Sequence, residues 1–453
     1  MNRLSYRLLK GYSSLIYWLK IRINPAGGVM LVSLAFSAML GMNTNMTMAY
    51  QAFAFILALL LISLVSLPFF RGSFSVKREL PLMASVGIPF SYRIKLRSGS
   101  RRVRKGLAVM EELADPRPSS ELFEEKLSTI PARSLIKTVI FGRGYFSYWN
   151  RLVSSAKMAE QGRVNMDAIP AKGKAEAVME LTPLRRGYIR FTGFSITRSD
   201  PFGLFRSVIR EEEGDALLVL PKRYPVPGIS LEGRRRHHQG GISLASRVGN
   251  ADEFVGLRDY RPGDPLRTIH WKSWAKSGRP VVKEYEDEFF SRHALILDSF
   301  ADAAGGELFE EAVSVAASFA SKITMGESLL DLIFVEGEAT CFTMGRSLGS
   351  PKMMLEILAC AVPCKGKSFD ALGSFVLSRA GMMSSAICIL IKWDDERREL
   401  VKRLKALHIP LILFLIVPED APIKDIDPGP MRDAPGRFHT LPLGKVEEAL
   451  ANI

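Results

Sequence analysis

Two uncharged runs near the start of the chain limit what it can fold into more than any other feature. "GGVMLVSLAFSAMLGM" (Gly27 to Met42) and, after the polar break "NTNMT", "MAYQAFAFILALLLISLVSLPFF" (Met48 to Phe70) contain no Asp, Glu, Lys or Arg. A helix rises about 1.5 Å per residue, so crossing a hydrocarbon layer of roughly 30 Å takes about 20 apolar residues. The second run has that length, and the first lies near the lower limit of roughly 17. The short break admits only a tight turn, which predicts a transmembrane helical hairpin over 27–70 with both ends on one side.

Cations choose the side. Arg3, Arg7, Lys10, Lys20 and Arg22 precede the hairpin and Arg71, Lys77 and Arg78 follow it, while the turn has none. Lys and Arg are retained on the cytoplasmic face, so both termini and all folded domains are expected in the cytoplasm of a bacterial cell, as a multi-pass inner-membrane protein. The alternative, a cleaved signal peptide followed by one anchor, would export the rest of the chain, and the flanking cations oppose it. Residues 1–26 form a basic segment in which "SYRLLKGYSSLIYWLKIR" reads as a helix lying on the inner leaflet, with Leu8, Leu15, Trp18 and Leu19 toward lipid.

The net charge of +14 would ordinarily raise nucleic-acid binding, but its distribution argues otherwise. Residues 1–110 hold 15 Lys and Arg against one acid, Glu79, and the remainder balances 46 basic residues with 46 acidic ones. The whole excess lies beside the membrane, where anionic lipid attracts it. Membrane lipid is therefore an expected partner, and nucleic acid is not. Cys341, Cys360, Cys364 and Cys388 form no C-x-x-C, which argues for reduced, buried thiols and against a zinc site.

Beyond the hairpin, "PFSYRIKLR" alternates apolar and polar residues with a period of two, and "AEAVMELTP", "GYIRFTGFSIT" and "ALLVLP" are short strand-forming runs bounded by Pro or Gly. They predict an antiparallel β-sandwich over 75–225. The stretch 141–163, "FGRGYFSYWNRLVSSAKMAEQGR", interrupts this rhythm as a loop or short helix, with a second membrane contact as the alternative for its Tyr, Phe and Trp cluster. A linker and signature segment covers 226–290. Its Arg234 to His238 run reads as a solvated loop or as a docking strip for an acidic partner. From 291 to 453, continuous apolar strands such as "HALILDSF", "SAICILIKW" and "PLILFLIVP" alternate with amphipathic helices, the pattern of a doubly wound α/β domain.

Carboxylates mark the ends of two of these strands, Asp298 after "ALIL" and Asp394 after "IKW". Ligands of such sheets sit beyond the carboxyl ends of the strands, and oxygen ligands suit Mg²⁺. The segment Asp298, Ser299, Phe300, Ala301, Asp302 resembles the metal-ion-dependent adhesion site of von Willebrand factor A domains, Asp-x-Ser-x-Ser, in degenerate form. Phe300 replaces the first ligand serine and Asp302 the second, so the apolar ring removes an oxygen from the metal's surroundings. No cofactor is expected, with Mg²⁺ at Asp298, Asp302 and Asp394 as the exception to test.

"FVGLRDYRPGDPLRTIHWKSWAKSGRPVVKEYE" resembles the signature of the bacterial domain-of-unknown-function-58 family, membrane proteins with a von Willebrand A-like domain. "RRGYIRFTGFSITRSDPFGLF", with Asp200 to Leu204, resembles a second feature of that family. The resemblance implies no settled activity. It implies an adaptor or assembly role at the inner membrane beside a MoxR-type AAA+ ATPase and, in some cases, a transglutaminase-like membrane protein.

Within the signature, Pro262 and Gly263 predict a turn, and Asp264 stands where a helix N-cap belongs, with Pro265 behind it. "PLRTIHWKSWAK" then predicts about three helical turns with Arg267, Trp271 and Trp274 on one face and His270 beside it. With Arg258 and Lys272, these residues suit either a packed joint between the sandwich and the α/β domain or a docking surface. Asp264 and His270 could be taken as an acid/base pair, but no Ser or Cys nucleophile and no second metal-spaced His accompanies them. The expected function is therefore a non-enzymatic, membrane-anchored adaptor. The alternative is a divalent-metal-dependent hydrolase using Asp298, Asp302 and Asp394.

Overall fold

The computed structural model describes residues 2–41, 47–70, 72–128, 143–226, 254–264, 266–285, 291–301, 306–323, 328–345, 350–364, 366–422 and 426–453. The chain divides into two compact units, Met1–Lys222 and Arg223–Ile453.

In the first unit, α1 (Asn2–Arg22) is an amphipathic helix, and α2 (Pro25–Gly41) and α3 (Thr47–Ser66) are uncharged helices packed side by side. The helix over Met48–Phe69 is long and apolar enough to cross a membrane, with a mean hydropathy of 2.6, whereas Pro25–Leu40 is apolar but shorter. Val32, Phe36, Phe55 and Ile62 on these helices are exposed, as are Leu8, Leu15 and Trp18 on α1.

A loop from the β-rich part of the unit ties these helices down. The buried Asp200 carboxylate accepts the Ser63 hydroxyl of α3 and the N–H groups of Phe202 (3.1 Å) and Phe205 (2.8 Å). Asn24, just before α2, donates its side-chain amide to Gly203 O at 2.7 Å and its backbone N–H to Leu204 O at 3.0 Å. Gly27 lets the loop come this close, since a Cβ there would lie 2.2 Å from the Leu204 carbonyl oxygen. The Asp-Pro-Phe-Gly-Leu segment thus serves as a clasp between helices and sheets.

Two sheets enclose the core of this unit. One has the order β1 (Phe74–Glu79), β3 (Phe90–Ser98), β7 (Lys174–Pro183), β5 (Ala159–Gln161). The other has the order β2 (Met83–Ser85), β9 (Arg206–Leu220), β8 (Gly187–Ser199), β4 (Leu107–Leu113), β6 (Val164–Asn165). The period-two alternation of β3 turns Tyr92, Ile94 and Leu96 inward, where they share a core with Met179 and Leu181 and with Val109, Ile189, Phe194 and Val219 of the other sheet. The expected all-antiparallel pairing fails at one place, for β2 runs parallel to β9. After β1 the chain crosses to the other sheet and returns for β3, so the direction of its three-residue edge strand is set by that crossing.

Between β4 and β5 the structure places α4 (Ser120–Ser128) and α5 (Arg143–Ser155). The 141–163 stretch therefore contains a helix and a strand, with 141–142 outside the described residues. Trp149 is fully buried against Phe123 and Leu152, with Tyr6 and Leu9 of α1 packed onto the same cluster. The Tyr6 and Trp149 ring centroids lie 5.7 Å apart in an edge-on contact.

The second unit contains a two-stranded ribbon, β10 (Phe254–Asp259) with β11 (Val281–Tyr285), and a six-stranded sheet. The sheet order is β14 (Glu338–Met344), β13 (Leu329–Glu336), β12 (Arg292–Leu297), β15 (Ser385–Leu390), β16 (Leu411–Val417), β17 (Phe438–Pro442). All pairs are parallel except β13 with β14, an antiparallel edge that the sequence reading missed. Burial of β12, β15 and β16 on both faces explains their unbroken apolar runs. On one face Ala294, Ile296 and Leu413 meet α9 (Asp370–Arg379) and α10 (Asp395–Ala406). On the other, Phe414 meets Phe319 of α7 (Gly306–Ile323), with ring centroids 4.9 Å apart, and α7 packs on α8 (Pro351–Cys360).

Candidate functional site

The signature segment is a locked ribbon capped by a pair of stacked tryptophans. Arg258, on β10, grips Asp264 with two parallel bonds, Nη1 to Oδ2 at 2.7 Å and Nη2 to Oδ1 at 2.8 Å. The Arg261 N–H reaches Oδ2 at 2.8 Å as well. These hydrogen bonds, Arg258 first and then the Arg261 amide, hold the Asp264 pKa down to about 2.

The predicted helix is correspondingly shorter. Among the described residues Asp264 caps no helix, its carboxylate being held by Arg258 and the Arg261 N–H, and Pro265 lies outside them. A single 3-10 turn, Leu266–Thr268, carries Arg267, whose side chain also lies outside them. Strand pairing then interrupts the chain. Ile269 bridges to Val282, and the His270 N–H donates to Val281 O at 2.8 Å, which pulls His270 out of helical geometry. The helix α6 covers only Trp271–Ser277.

On α6 the Trp271 and Trp274 rings stack at 5.2 Å and 19°, and Trp271 is 64% exposed. Lys272, Lys276 and Arg279 are exposed nearby in sequence, as are Leu257 on β10 and Leu266 on the 3-10 turn. His270 Nδ1 pairs with Ser273 Oγ at 2.6 Å. No hydrogen bond joins His270 to Asp264 among the described residues.

The second candidate lies where the strand order reverses, between β12 and β15, at their carboxyl ends. Asp298 is fully buried there. Its Oδ1 accepts the Phe300 N–H (3.1 Å) and Arg397 Nη2 (3.2 Å), and its Oδ2 accepts Arg397 Nε (3.0 Å) and the Ile391 N–H (3.4 Å). Arg397 Nη1 reaches Asp394 Oδ2 at 2.6 Å, while Asp394 Oδ1 caps α10 through the Arg397 N–H at 3.2 Å. Phe369 closes the other side, its ring 4.2 Å from the guanidinium carbon, and Phe300 packs edge-on against Phe369 at 5.7 Å.

Asp298 and Asp394 are thus brought together as the sequence suggested, but around a guanidinium. Asp302 lies outside the described residues. Ser299 faces β13 instead, donating to Val335 O at 2.6 Å. A divalent ion takes six or more oxygens, and the Asp298 and Asp394 oxygens described here are engaged by Arg397. No cluster of three or more His, Cys, Asp or Glu that could hold a metal occurs among the described residues. Burial opposes the Arg397 charge, yet the bonds to Asp298 and then Asp394 overcome it and raise its pKa. Arg397 itself escaped the sequence reading, although a signal existed. The buried residues of α10 are Arg397, Leu400, Val401 and Leu404, so the arginine stands in register with an apolar stripe.

One further expectation needs adjusting. Cys364 and Cys388 are buried, but Cys360 is exposed and Cys341 half-buried. The Arg234 to His238 run lies outside the described residues. In the first unit an open cleft of about 690 Å³ borders Glu112, Thr192, Arg210 and Glu212, and none of the predicted site residues lines it.

Residues 256–383, from the ribbon through the end of α9, match the family described as protein of unknown function DUF58. An uncharacterized protein of Bacillus subtilis strain 168, YeaD, is 28% identical over 186 residues, covering 40% of this chain and 44% of YeaD. The chain therefore aligns with less than half of that relative's length. The crystal structure of an aerotolerance-related membrane protein from Bacteroides fragilis NCTC 9343, with multiple mutations to serines, aligns over 36% of this chain and 86% of its own. Its identity is 15% and its TM-score 0.21, too slight a likeness to carry the fold. Asp394 and Arg397 fall outside the family match.

Proposed function

We propose that the chain is a non-enzymatic adaptor anchored in the bacterial inner membrane. In this reading α2 and α3 cross the bilayer as a hairpin, and α1 lies on the inner leaflet. A β-sandwich and a von Willebrand A-like unit then stand in the cytoplasm. The cations that flank the hairpin support this orientation, and the exposed apolar residues of α2 and α3 suit contact with lipid.

The single observation that carries the adaptor reading is the exposed Trp271, stacked on Trp274 at the tip of a ribbon held by Arg258 and Asp264. Large aromatics on a rigid support bind partners at low entropic cost, and Trp and Arg dominate the energetics of protein interfaces. The neighbouring Lys272, Lys276 and Arg279 favour a partner surface with acidic groups around an apolar pocket. The family resemblance supports a MoxR-type AAA+ ATPase as that partner, with a transglutaminase-like membrane protein as a further member of the assembly.

Binding of a purified ATPase of this class to the full chain in lipid nanodiscs tests the proposal. Saturable binding is expected, weakened at least about tenfold by Trp271→Ala and lowered by added salt. Equal binding by wild type and Trp271→Ala would sink the reading.

A further inference from the structure

The crevice between β12 and β15 is the natural ligand position of a sheet with this strand order, and the buried carboxylate of Asp298 stands there. Its electrostatics are already complete. Asp298 receives two bonds from one guanidinium, Asp394 a third, and the two backbone N–H groups of Phe300 and Ile391 take up remaining acceptor capacity of Asp298. The Arg397 side chain is 4% exposed, and Phe369 covers its face. Displacing it would require a buried, permanently charged group to find another partner.

We infer that Arg397 is the resident cation of this crevice, a protein-borne substitute for the divalent ion that the degenerate adhesion-site motif suggests. The exclusion of metal then rests on Arg397 rather than on the Phe300 ring. The centre ties α10 to the ends of β12 and β15. Phe300→Ser alone would restore an oxygen and still leave the place taken.

Two measurements on the full chain in detergent micelles test this. The first titrates Mn²⁺ by electron paramagnetic resonance against wild type and Phe300→Ser. No saturable binding tighter than about 1 mM is expected for either, and binding ten or more times tighter by either protein overturns the inference. The second compares the thermal melting of Arg397→Met with that of the double variant Asp298→Asn/Arg397→Met. Removing the cation alone leaves a buried carboxylate uncompensated, whereas neutralising both partners does not. The double variant is therefore expected to melt higher than Arg397→Met, which keeps the comparison decisive even if the single variant fails to fold. A double variant no more stable than Arg397→Met would show that Arg397 is not the charge partner of Asp298.

Discussion

Arg78 and Glu111 face each other inside the first unit with their side chains 1% and 0% exposed, Nη2 standing 3.4 Å from Oε2. The arginine makes its shorter bonds elsewhere, to Glu213 O at 2.9 Å and Asp215 Oδ2 at 3.0 Å, and its guanidinium lies 4.8 Å and 4.6 Å from the ring centroids of Phe191 and Phe194. Glu111 is left with the Tyr92 hydroxyl at 2.8 Å and the longer bond to Arg78. Burial accordingly pushes its pKa up to about 7, against the opposing pull of Arg78 and of the Tyr92 hydrogen bond.

That shift makes the stability of the sheets pH-dependent in a definite direction. The folded state holds the Glu111 proton more tightly than the unfolded chain, so the contribution is complete below the ordinary glutamate pKa and is lost as pH rises through about 7. Hydrogen exchange of β3 and β4 in the micelle-bound chain is expected to quicken between pH 5 and pH 8 beyond the intrinsic rate, by an amount on the order of 3 kcal/mol. Glu111→Gln should flatten that dependence. A slope unchanged in Glu111→Gln would assign it to another group.

The clasp at Asp200 depends on close backbone approach. Gly27→Ala pushes a methyl group into the Leu204 carbonyl and is expected to lower stability by about 1–3 kcal/mol, with faster proteolysis in the 200–205 loop. Gly28→Ala, with nothing within 4 Å of its added carbon, is the matched control.

Trp149 is a core residue of the α1, α4 and α5 cluster. Trp149→Ala should cost about 3–5 kcal/mol in denaturant unfolding of the full chain. Trp271→Ala, on an exposed indole, should cost less than about 1 kcal/mol. The reverse order would exchange the structural and docking roles assigned to the two tryptophans.

The cysteines should separate by access. Cys360 is exposed and is expected to react rapidly with a disulfide reagent in the native chain. Cys388 is buried, its thiol is pushed up to about 12, and it should react only after denaturation. Cys360→Ser should abolish the fast phase.

What the sequence alone determined are features carried by neighbouring residues. Uncharged runs announce the apolar helices, period-two alternation announces β3, and continuous apolar segments announce β12, β15 and β16, because burial on one or two faces writes itself into local spacing. The strand-end position of Asp298 was legible for the same reason. Tertiary structure decided the rest through choices between distant partners. Asp264 looked like a helix cap until Arg258 claimed it, and β11 drew Ile269 and His270 out of a helix that local propensity favoured. Short edge strands such as β2 and β14 take their direction from the strands they join, and no periodicity records that. Asp298 and Asp394 signalled a cation, but only the packing of α10 against the sheet identified it as Arg397, since a buried charge takes the partner that folding brings within reach.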